Sequence, residues 1–442
     1  MHYGKYLRAV EKSQTLLLNE QSRNLEQGGK KVYKFGFGQS PFLPPKPVIE
    51  ALKANAHRKD YSPVAGIPEL RKAVADFHHN FDGIDAKPEN ILIAPGSKIV
   101  IYAVLVSFTE ADVLVCAPAW VSYVPQARLL GHNVIMLPTT FEGRWRLTPD
   151  MLARALEGRS DKKRPSVLIL NYPGNPDGLS YMSSELRAIA EVARKHNTLI
   201  ISDEIYGLLN HNGQHVSLAK HYPEGTIITG GLSKWCGAGG WRLGTALVPA
   251  KLGEDFKETL LGVASETYSC SALPIQLAAC EAYKMTNETK SFVENQRRIL
   301  SALGNECATR LQQANIRVHN PEGGFYLFVD FTARAETFAE YGITTSQGLC
   351  EALLKETGVA LLPGAAFGMS PEQLCARLAY VDFDGASVLD VVEKTHADTA
   401  LDVKFMNSAC AHMMEGIDAL CGWIGKKEAL SIDFGHFSSV QP

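Results

Sequence analysis

Polar side chains with different chemistries follow successive apolar segments of this chain. Lys234 stands in a glycine-rich turn directly after the apolar segment that ends at Thr229, so its amine is held at a strand end, as a nucleophilic lysine requires. Asp203 and Tyr206 follow another apolar segment, and an aspartate in such a place needs a partner. Asn175 lies between two Pro/Gly turns that fix the direction of its amide.

A second set of residues suits an anion and a planar ring. Ser97 and Lys98 follow a Pro-Gly turn at the start of a predicted helix, where free backbone amides attract anions. Ser233 and Arg242 add a hydroxyl and a guanidinium near Lys234. Trp120 follows a third apolar segment and either belongs to the core or stacks on a planar ligand. Taken alone, the Pro-Gly turn is better explained as a simple turn than as an anion site.

Pyridoxal 5'-phosphate is the ligand that uses all of these groups. Its aldehyde needs an amine, its pyridine nitrogen needs a carboxylate, and its ring oxygen needs hydrogen-bond donors. Its phosphate needs backbone amides and a guanidinium. The residues therefore predict a pyridoxal-phosphate site assembled where several strands end.

Seven short apolar runs alternate with helical patterns over the first two thirds of the chain. Each run is rich in Val, Ile and Leu and does not alternate with polar residues, which is typical of strands covered on both faces. The pattern predicts an α/β fold with a seven-stranded, mostly parallel sheet between two helical layers, and such sheets bind ligands at the carboxyl ends of their strands. The runs are 91–93, 113–115, 134–136, 167–170, 199–201, 227–228 and 243–248.

The pattern changes near residue 285. A long charged helix is predicted over 290–314, followed by strands at 323–330, 358–362 and 377–381 and a helix over 407–426. We therefore expect a large domain over 45–290 and a smaller α+β domain built from 1–44 and 291–442. The residues from 438 onward are predicted to form a loose tail.

The chain resembles the class I/II aminotransferases, which are fold-type I pyridoxal-phosphate enzymes. The resemblance runs from about Gly36 to Asp384, and its most specific stretch is Ser233-Lys234 followed by Gly240 to Gly244. The other matching stretches are 61–71, 171–178 and 203–206.

The resemblance implies a cofactor role for each of the residues above. Lys234 is similar to the lysine that binds the cofactor aldehyde and moves the proton. Asp203 is similar to the partner of the pyridine nitrogen, and Trp120 to the residue that stacks on the ring. The other implied contacts are Tyr206 and Asn175 on the ring oxygen, and Ser97, Lys98, Ser233 and Arg242 on the phosphate.

The resemblance also implies contacts with the substrate and with a second subunit. Arg377 is similar to the arginine that pairs with the substrate α-carboxylate, and Gly38 to a glycine that lines the substrate site beside Asn175. Tyr61 is similar to a tyrosine that reaches the phosphate of the other subunit, which implies a homodimer with shared sites. Lys98 matches a lysine of aspartate-type members, which favours a dicarboxylic donor, although a role for its backbone amide alone explains it equally well.

Three positions depart from the family pattern. Gly231 replaces a serine that binds the phosphate in many relatives, so we expect modestly weaker cofactor binding or another donor in its place. Asp177 replaces a threonine, which we expect to be neutral. Ala119 replaces a tyrosine before Trp120, which we expect to alter the wall of the site.

The predicted function is amino-group transfer between an L-amino acid and a 2-oxo acid, with aspartate or glutamate as the favoured donor. A pyridoxal-phosphate lyase, such as a C–S lyase, or an aminocyclopropane-carboxylate synthase is the alternative on the same fold. A transcription regulator that reuses the domain is disfavoured, because only about 30 residues precede the Gly36 motif. Release of pyruvate and ammonia without an acceptor acid would indicate the lyase.

Composition narrows the partners and the location. The net charge is −3, from 44 basic and 47 acidic residues, so there is no basic excess to attract nucleic acid or anionic lipid. No run approaches the length of a membrane span, and the N-terminal residues do not read as a signal peptide. Nine cysteines without a Cys-x-x-Cys pair predict reduced thiols, a cytoplasmic protein and no metal site.

Overall fold

A computed structural model describes residues 14–396 and 399–437 of the chain. Within these residues ten strands form one large and one small sheet. The large sheet contains β1 (Ile91–Ala94), β2 (Asp112–Ala117), β3 (Asn133–Pro138), β4 (Ser166–Asn171), β5 (Leu199–Asp203), β6 (Thr226–Gly231) and β7 (Gly244–Leu247). The small sheet contains β8 (Tyr326–Asp330), β9 (Leu362–Pro363) and β10 (Cys375–Ala379).

The large sheet has the strand order β1-β7-β6-β5-β4-β2-β3. Strands β3, β2, β4, β5 and β6 are parallel neighbours, whereas β7 runs antiparallel to both β6 and β1. The predicted seven-stranded, mostly parallel sheet is therefore confirmed. In the small sheet β10 lies between β8 and β9 and is antiparallel to both.

Fifteen α-helices lie within the described residues. Those along the large sheet are α2 (Lys46–Asn55), α3 (Pro68–Phe77), α4 (Ser97–Val106), α5 (Tyr123–Leu129), α6 (Pro149–Glu157), α7 (Ser183–Lys195), α8 (Glu254–Thr267) and α9 (Leu273–Tyr283). The others are α1 (Gln14–Gln27), α10 (Asn287–Gln313), α11 (Ala335–Ala339), α12 (Ser346–Thr357), α13 (Gly385–Glu393), α14 (Val403–Ala409) and α15 (Ala411–Phe437).

The seven apolar runs each become a strand of the large sheet. The strands β1, β5 and β7 are buried along their whole length, as the non-alternating runs predict. The exception is β3, whose residues are mostly half-buried or exposed. Helix α7 begins at Ser183, and the Glu185 carboxylate accepts a hydrogen bond from the Met182 backbone N–H.

The small sheet and the last helices differ more from the sequence prediction. The predicted strand 358–362 is reduced to β9, because Gly358 ends α12 in a left-handed conformation (φ 81°) and Val359 forms only an isolated bridge with Tyr33. The single helix predicted over 407–426 is two helices, with Cys410 between α14 and α15. The predicted tail lies outside the described residues. No helix in the described ranges has the length and apolar character that crossing a membrane requires.

Candidate active site

Three neighbouring parallel strands end in a row of polar residues. In the register of the sheet, Asn171 of β4 is opposite Asp203 of β5, and Asp203 is opposite Thr229 of β6. The Asn171 side-chain amide donates to the Asp203 backbone carbonyl at 2.7 Å, and the Thr229 hydroxyl donates to Asp203 Oδ1 at 3.2 Å. The parallel register therefore fixes the Asp203 carboxylate at the carboxyl edge of the sheet.

The second oxygen of Asp203 is held from a different element. Tyr123, at the start of α5, donates its hydroxyl to Asp203 Oδ2 at 2.6 Å. Burial raises the pKa of the Asp203 carboxyl, while the bonds from Tyr123 and Thr229 and the charge of Lys234 oppose the rise. A buried carboxylate with this environment is stabilised by a further cationic donor.

Lys234 lies in the turn after β6 with Ser233 beside it. Its Nζ donates to the Gly38 carbonyl at 2.7 Å and lies 5.4 Å and 5.5 Å from the ring centres of Tyr206 and Phe325. The amine is thus held by the N-terminal segment on one side and by two aromatic faces on the other.

Close packing against β7 explains why position 231 is a glycine. Its φ is 149°, and a Cβ there would lie 2.5 Å from the Leu243 carbonyl oxygen and 2.9 Å from the Gly244 Cα on β7. A side chain at this position would be forced against β7. The close pairing of β6 with β7 therefore requires the glycine.

A candidate anion site lies at the start of α4. Gly96 precedes the helix with φ 104° and has no side chain, so the first-turn amides of Ser97 and Lys98 have no side-chain cap at that position. A Cβ on Gly96 would overlap Arg242 Nη2, which shows that the guanidinium lies against the helix start. Arg242 is itself left-handed (φ 57°) and donates to the Gly239 carbonyl at 2.9 Å.

Lys98 and Trp120 are in contact beside this anion site. Lys98 Nζ lies 5.1 Å from the centre of the Trp120 ring, which meets Tyr123 edge-on at 5.2 Å. Burial lowers the pKa of Lys98, and the charge of Arg242 lowers it further. The side chain of Lys98, and not only its amide, therefore faces the site.

Arg377 on β10 reaches the same site from the small sheet. Its Nη1 donates to Asn175 Oδ1 at 2.9 Å, and its Nη2 donates to the Gly36 carbonyl at 2.7 Å. The residue is buried, and its Nε has no partner among the described residues. Burial lowers the pKa of this guanidinium. The arrangement suits a carboxylate, which would supply the missing acceptor and counter-charge.

The structure brings most of the predicted site residues together, but it leaves Tyr61 apart. Tyr61 lies in the loop between α2 and α3 and is 93% exposed, the highest value among the large hydrophobic side chains that are exposed in the described ranges. Such exposure is unusual for a tyrosine without a partner surface.

Tyr123 and Thr229 were not predicted from the sequence, although both bind the Asp203 carboxylate. Tyr123 follows Trp120 by three residues, and Trp120 alone was chosen from that segment. Thr229 is hidden in an apolar run and becomes a candidate only when its register with Asp203 is known. A polar residue at the end of a buried strand is the signal that could have indicated Thr229.

The other two departures from the family pattern line one small cavity of about 30 Å³ beside Trp120. Asp177 accepts a hydrogen bond from the Leu179 backbone N–H at 2.7 Å, and burial raises the pKa of its carboxyl to about 7. Ala119 donates its backbone N–H to the Phe367 carbonyl at 2.9 Å. The carboxyl of Asp177 can therefore gain or lose a proton near neutral pH, which a threonine hydroxyl at this position could not do.

Comparisons with known proteins agree with this geometry. The family described as aminotransferase class I and II matches residues 30–388. The chain belongs to the class I and II aminotransferases. Aspartate aminotransferase from Geobacillus stearothermophilus is 33% identical over 402 residues, 89% of this chain and 96% of that protein. Aspartate/prephenate aminotransferase from Cereibacter sphaeroides is 30% identical over 390 residues, 86% of this chain and 94% of that protein.

A solved structure of the same family has the same architecture. Aspartate aminotransferase from Thermus thermophilus with maleate superposes with a TM-score of 0.79 at 25% identity, covering 94% of this chain and 99% of that one. This chain is therefore a pyridoxal-phosphate-dependent aminotransferase of fold type I. Family membership favours amino-group transfer over the lyase and synthase alternatives.

The residues present fit pyridoxal phosphate. At Gly96, where a Cβ would clash with Arg242, the backbone amides at the start of α4 and the Arg242 guanidinium lie together. This combination suits a phosphate. The Asp203 carboxylate, with donors already on both oxygens, suits a protonated ring nitrogen. The Lys234 amine and the Tyr206 phenol supply the groups that the aldehyde and the ring oxygen need.

Proposed function

We propose that the enzyme transfers the amino group of a dicarboxylic L-amino acid, aspartate or glutamate, to a 2-oxo acid. The observation that carries the choice of donor is the Lys98 ammonium beside Trp120 and next to the start of α4. Its charge complements a distal carboxylate, while Arg377 binds the α-carboxylate. The aspartate aminotransferases among the relatives, and the neighbouring structure with maleate, support the same class of substrate.

The chemistry requires a base that moves a proton at the substrate Cα. When bound, pyridoxal phosphate supplies a covalent attachment for the substrate nitrogen and a conjugated ring that accepts the electron pair of the broken bond. Lys234 is the proposed catalytic base and attachment residue. Asp203 would keep the ring nitrogen protonated, and Tyr206 would donate to the ring oxygen together with Asn175.

The remaining proposed contacts hold the cofactor and the substrate. Trp120 would cover the ring, and Gly38 would line the substrate site with its backbone. The phosphate contacts are the amides of Ser97 and Lys98, the Ser233 hydroxyl and the Arg242 guanidinium. Because Arg242 and the helix amides act together, we expect the phosphate to tolerate the absence of a serine at Gly231.

We also propose a homodimer in which Tyr61 reaches the phosphate site of the partner subunit. Its 93% exposure in a single chain supports this role, since an exposed aromatic ring gains by burial against a partner. The division into a large domain over 45–290 and a small domain from 1–44 and 291–442, and the cytoplasmic location, stay predictions.

A donor screen combined with one substitution tests the proposed donor. The holoenzyme is assayed with aspartate, glutamate and alanine, each with 2-oxoglutarate or pyruvate as acceptor. Lys98→Gln keeps the backbone amide but removes the charge, so the KM for aspartate should rise about tenfold, as for the loss of one charge-assisted bond, while the KM for alanine stays unchanged. An exposed control, Lys163→Gln, should change neither.

An equal effect of Lys98→Gln on aspartate and alanine would contradict a contact with the distal carboxylate. Preference of the unmodified enzyme for alanine would reject the dicarboxylic donor itself. The two results are independent, because the first concerns one residue and the second concerns the whole site.

A further inference from the structure

Tyr326 is a buried phenol in the site that the predicted contacts do not include. It is the first residue of β8 and is 1% exposed. Its hydroxyl lies 2.9 Å from the Tyr206 hydroxyl and 3.5 Å from the Gly38 carbonyl oxygen. At the Gly38 carbonyl this hydroxyl can only donate, whereas at Tyr206 it can donate or accept.

The Gly38 carbonyl joins Tyr326 to Lys234. Lys234 Nζ donates to this carbonyl at 2.7 Å, on the atom that also faces the Tyr326 hydroxyl. A Cβ at Gly38 would overlap the Tyr326 hydroxyl, so the glycine is what allows the approach. On its other side the Tyr326 ring lies 4.7 Å from the Arg377 guanidinium carbon. Tyr326 therefore contacts both Tyr206 and Arg377.

The direction of the hydrogen bond between the two phenols decides what Tyr206 can do. Each phenol has one proton, so only one of the two donates to the other. If Tyr206 donates to Tyr326, its proton is not available to the cofactor. If Tyr326 donates to Tyr206, the Tyr206 proton is free for another acceptor, and the donation strengthens it as a donor.

We propose that Tyr326 is a positioning residue that donates its hydroxyl proton to Tyr206 and so directs the Tyr206 proton to the ring oxygen of the cofactor. The inference rests on the role proposed for Tyr206 and adds a second phenol behind it. The distances support this direction, because the Tyr326 hydroxyl lies 2.9 Å from the Tyr206 hydroxyl but 3.5 Å from the Gly38 carbonyl oxygen, which already accepts from Lys234.

The two parts of Tyr326 should have separable effects. The hydroxyl acts on Tyr206, whereas the ring packs under Arg377. Tyr326→Phe removes only the hydroxyl, so the contact with Arg377 and the binding of the substrate α-carboxylate should persist. We therefore expect the KM for the amino donor to stay within twofold of its normal value while kcat falls.

The experiment follows the visible absorbance of the holoenzyme as a function of pH. The pH at the midpoint of the absorbance change reports the loss of a proton held between the cofactor and its lysine. This midpoint rises when the ring oxygen loses a hydrogen-bond donor, because the negative charge on that oxygen is then less stabilised. Tyr206→Phe should raise the midpoint most. Tyr326→Phe should raise it by about half a pH unit, as expected when one bond in a chain loses its cooperative support.

The double variant separates the proposal from its alternatives. If Tyr326 acts through Tyr206, the variant with both substitutions should have the midpoint of Tyr206→Phe alone. Tyr380 is fully buried and donates to the Gly324 carbonyl at 3.4 Å, so Tyr380→Phe is the matched control and should leave the midpoint unchanged.

Three results would overturn the proposal in different ways. No shift in Tyr206→Phe would remove the role of Tyr206 and the inference with it. A shift in Tyr206→Phe without one in Tyr326→Phe would remove the inference alone. A Tyr326→Phe shift that persists in the Tyr206→Phe background would mean that Tyr326 acts through Gly38 and Lys234 instead.

Discussion

The two sheets contribute to the site in different ways. The large sheet supplies Asp203 and Thr229 as direct neighbours at its carboxyl edge, and Lys234 in the turn after β6. The small sheet supplies Tyr326 and Arg377 from two antiparallel strands, and both side chains meet groups of the large sheet or the N-terminal segment. The large sheet thus carries the groups proposed for the cofactor, whereas the small sheet carries Arg377, proposed for the substrate carboxylate, and Tyr326, which lies behind the proposed cofactor contact of Tyr206.

The difference teaches how each part of the site is encoded. In a parallel sheet every strand ends at the same edge, so residues that follow the strands must converge. No such rule relates Arg377 of β10 to Asn175, which lies 202 positions earlier in the chain. Substitutions in the large sheet and at Tyr326 should therefore affect the chemistry and the cofactor, whereas substitutions at Arg377 should affect substrate binding.

The largest effect is expected from Lys234→Ala. The loss of both the attachment group and the base should lower kcat by about 10⁴-fold or more and remove the characteristic visible absorbance of the holoenzyme. Steady-state assays and a visible spectrum measure both. The exposed control Lys195→Ala should behave as the unmodified enzyme. Normal turnover of Lys234→Ala would end the assignment.

Arg377→Lys should give a smaller effect of a different kind. Lysine keeps the charge but cannot hold Asn175 and Gly36 with two nitrogens while facing a carboxylate, so kcat/KM should fall about 100-fold, mainly through KM. The visible spectrum of the cofactor should be unchanged, and Arg187→Lys on the exposed face of α7 is the control. A loss confined to kcat would contradict the division of roles between the two sheets.

The large sheet can be predicted from the sequence more fully than the contacts made by the small sheet. Seven non-alternating apolar runs predict the seven strands, because burial on both faces leaves a local pattern. Tyr326 was read only as part of a strand, since nothing local shows that its hydroxyl meets Tyr206. Arg377 was named only from the family resemblance. The sequence also does not predict the break between α14 and α15 at Cys410, because a helical pattern continues across it.

Tyr123→Phe tests how the hydrogen bond from Tyr123 supports the Asp203 carboxylate. Without this hydroxyl the pKa of Asp203 should rise further, because one of the bonds that oppose the effect of burial is lost. We expect a fall of about tenfold in kcat and in the affinity for pyridoxal phosphate, the usual loss for one hydrogen bond to a charged group. Tyr222→Phe, also buried but remote from Asp203, should have no effect on either quantity.

The smallest effect concerns Asp177 and stability. Burial raises the pKa of its carboxyl to about 7, so the folded protein holds this proton more tightly than the unfolded chain, whose value is about 4. Its contribution to stability is therefore favourable at low pH and is lost as the pH rises from about 4 to about 7.

Asp177→Asn should remove that pH dependence. The variant should be more stable than the unmodified enzyme at pH 8 and no more stable at pH 4, as measured by urea unfolding. The exposed Asp85→Asn is the control. Equal stability of Asp177→Asn and the unmodified enzyme at pH 8 would mean that the carboxylate is not destabilised in the fold.

Chemical mapping of the cofactor attachment tests the central claim most directly. Reduction of the holoenzyme with sodium borohydride makes the bond between the cofactor and its lysine permanent, and peptide mass spectrometry then locates it. We predict the cofactor on the peptide that contains Lys234 and on no other peptide. Attachment to a different lysine, Lys98 included, would contradict the site proposed at the edge of the large sheet.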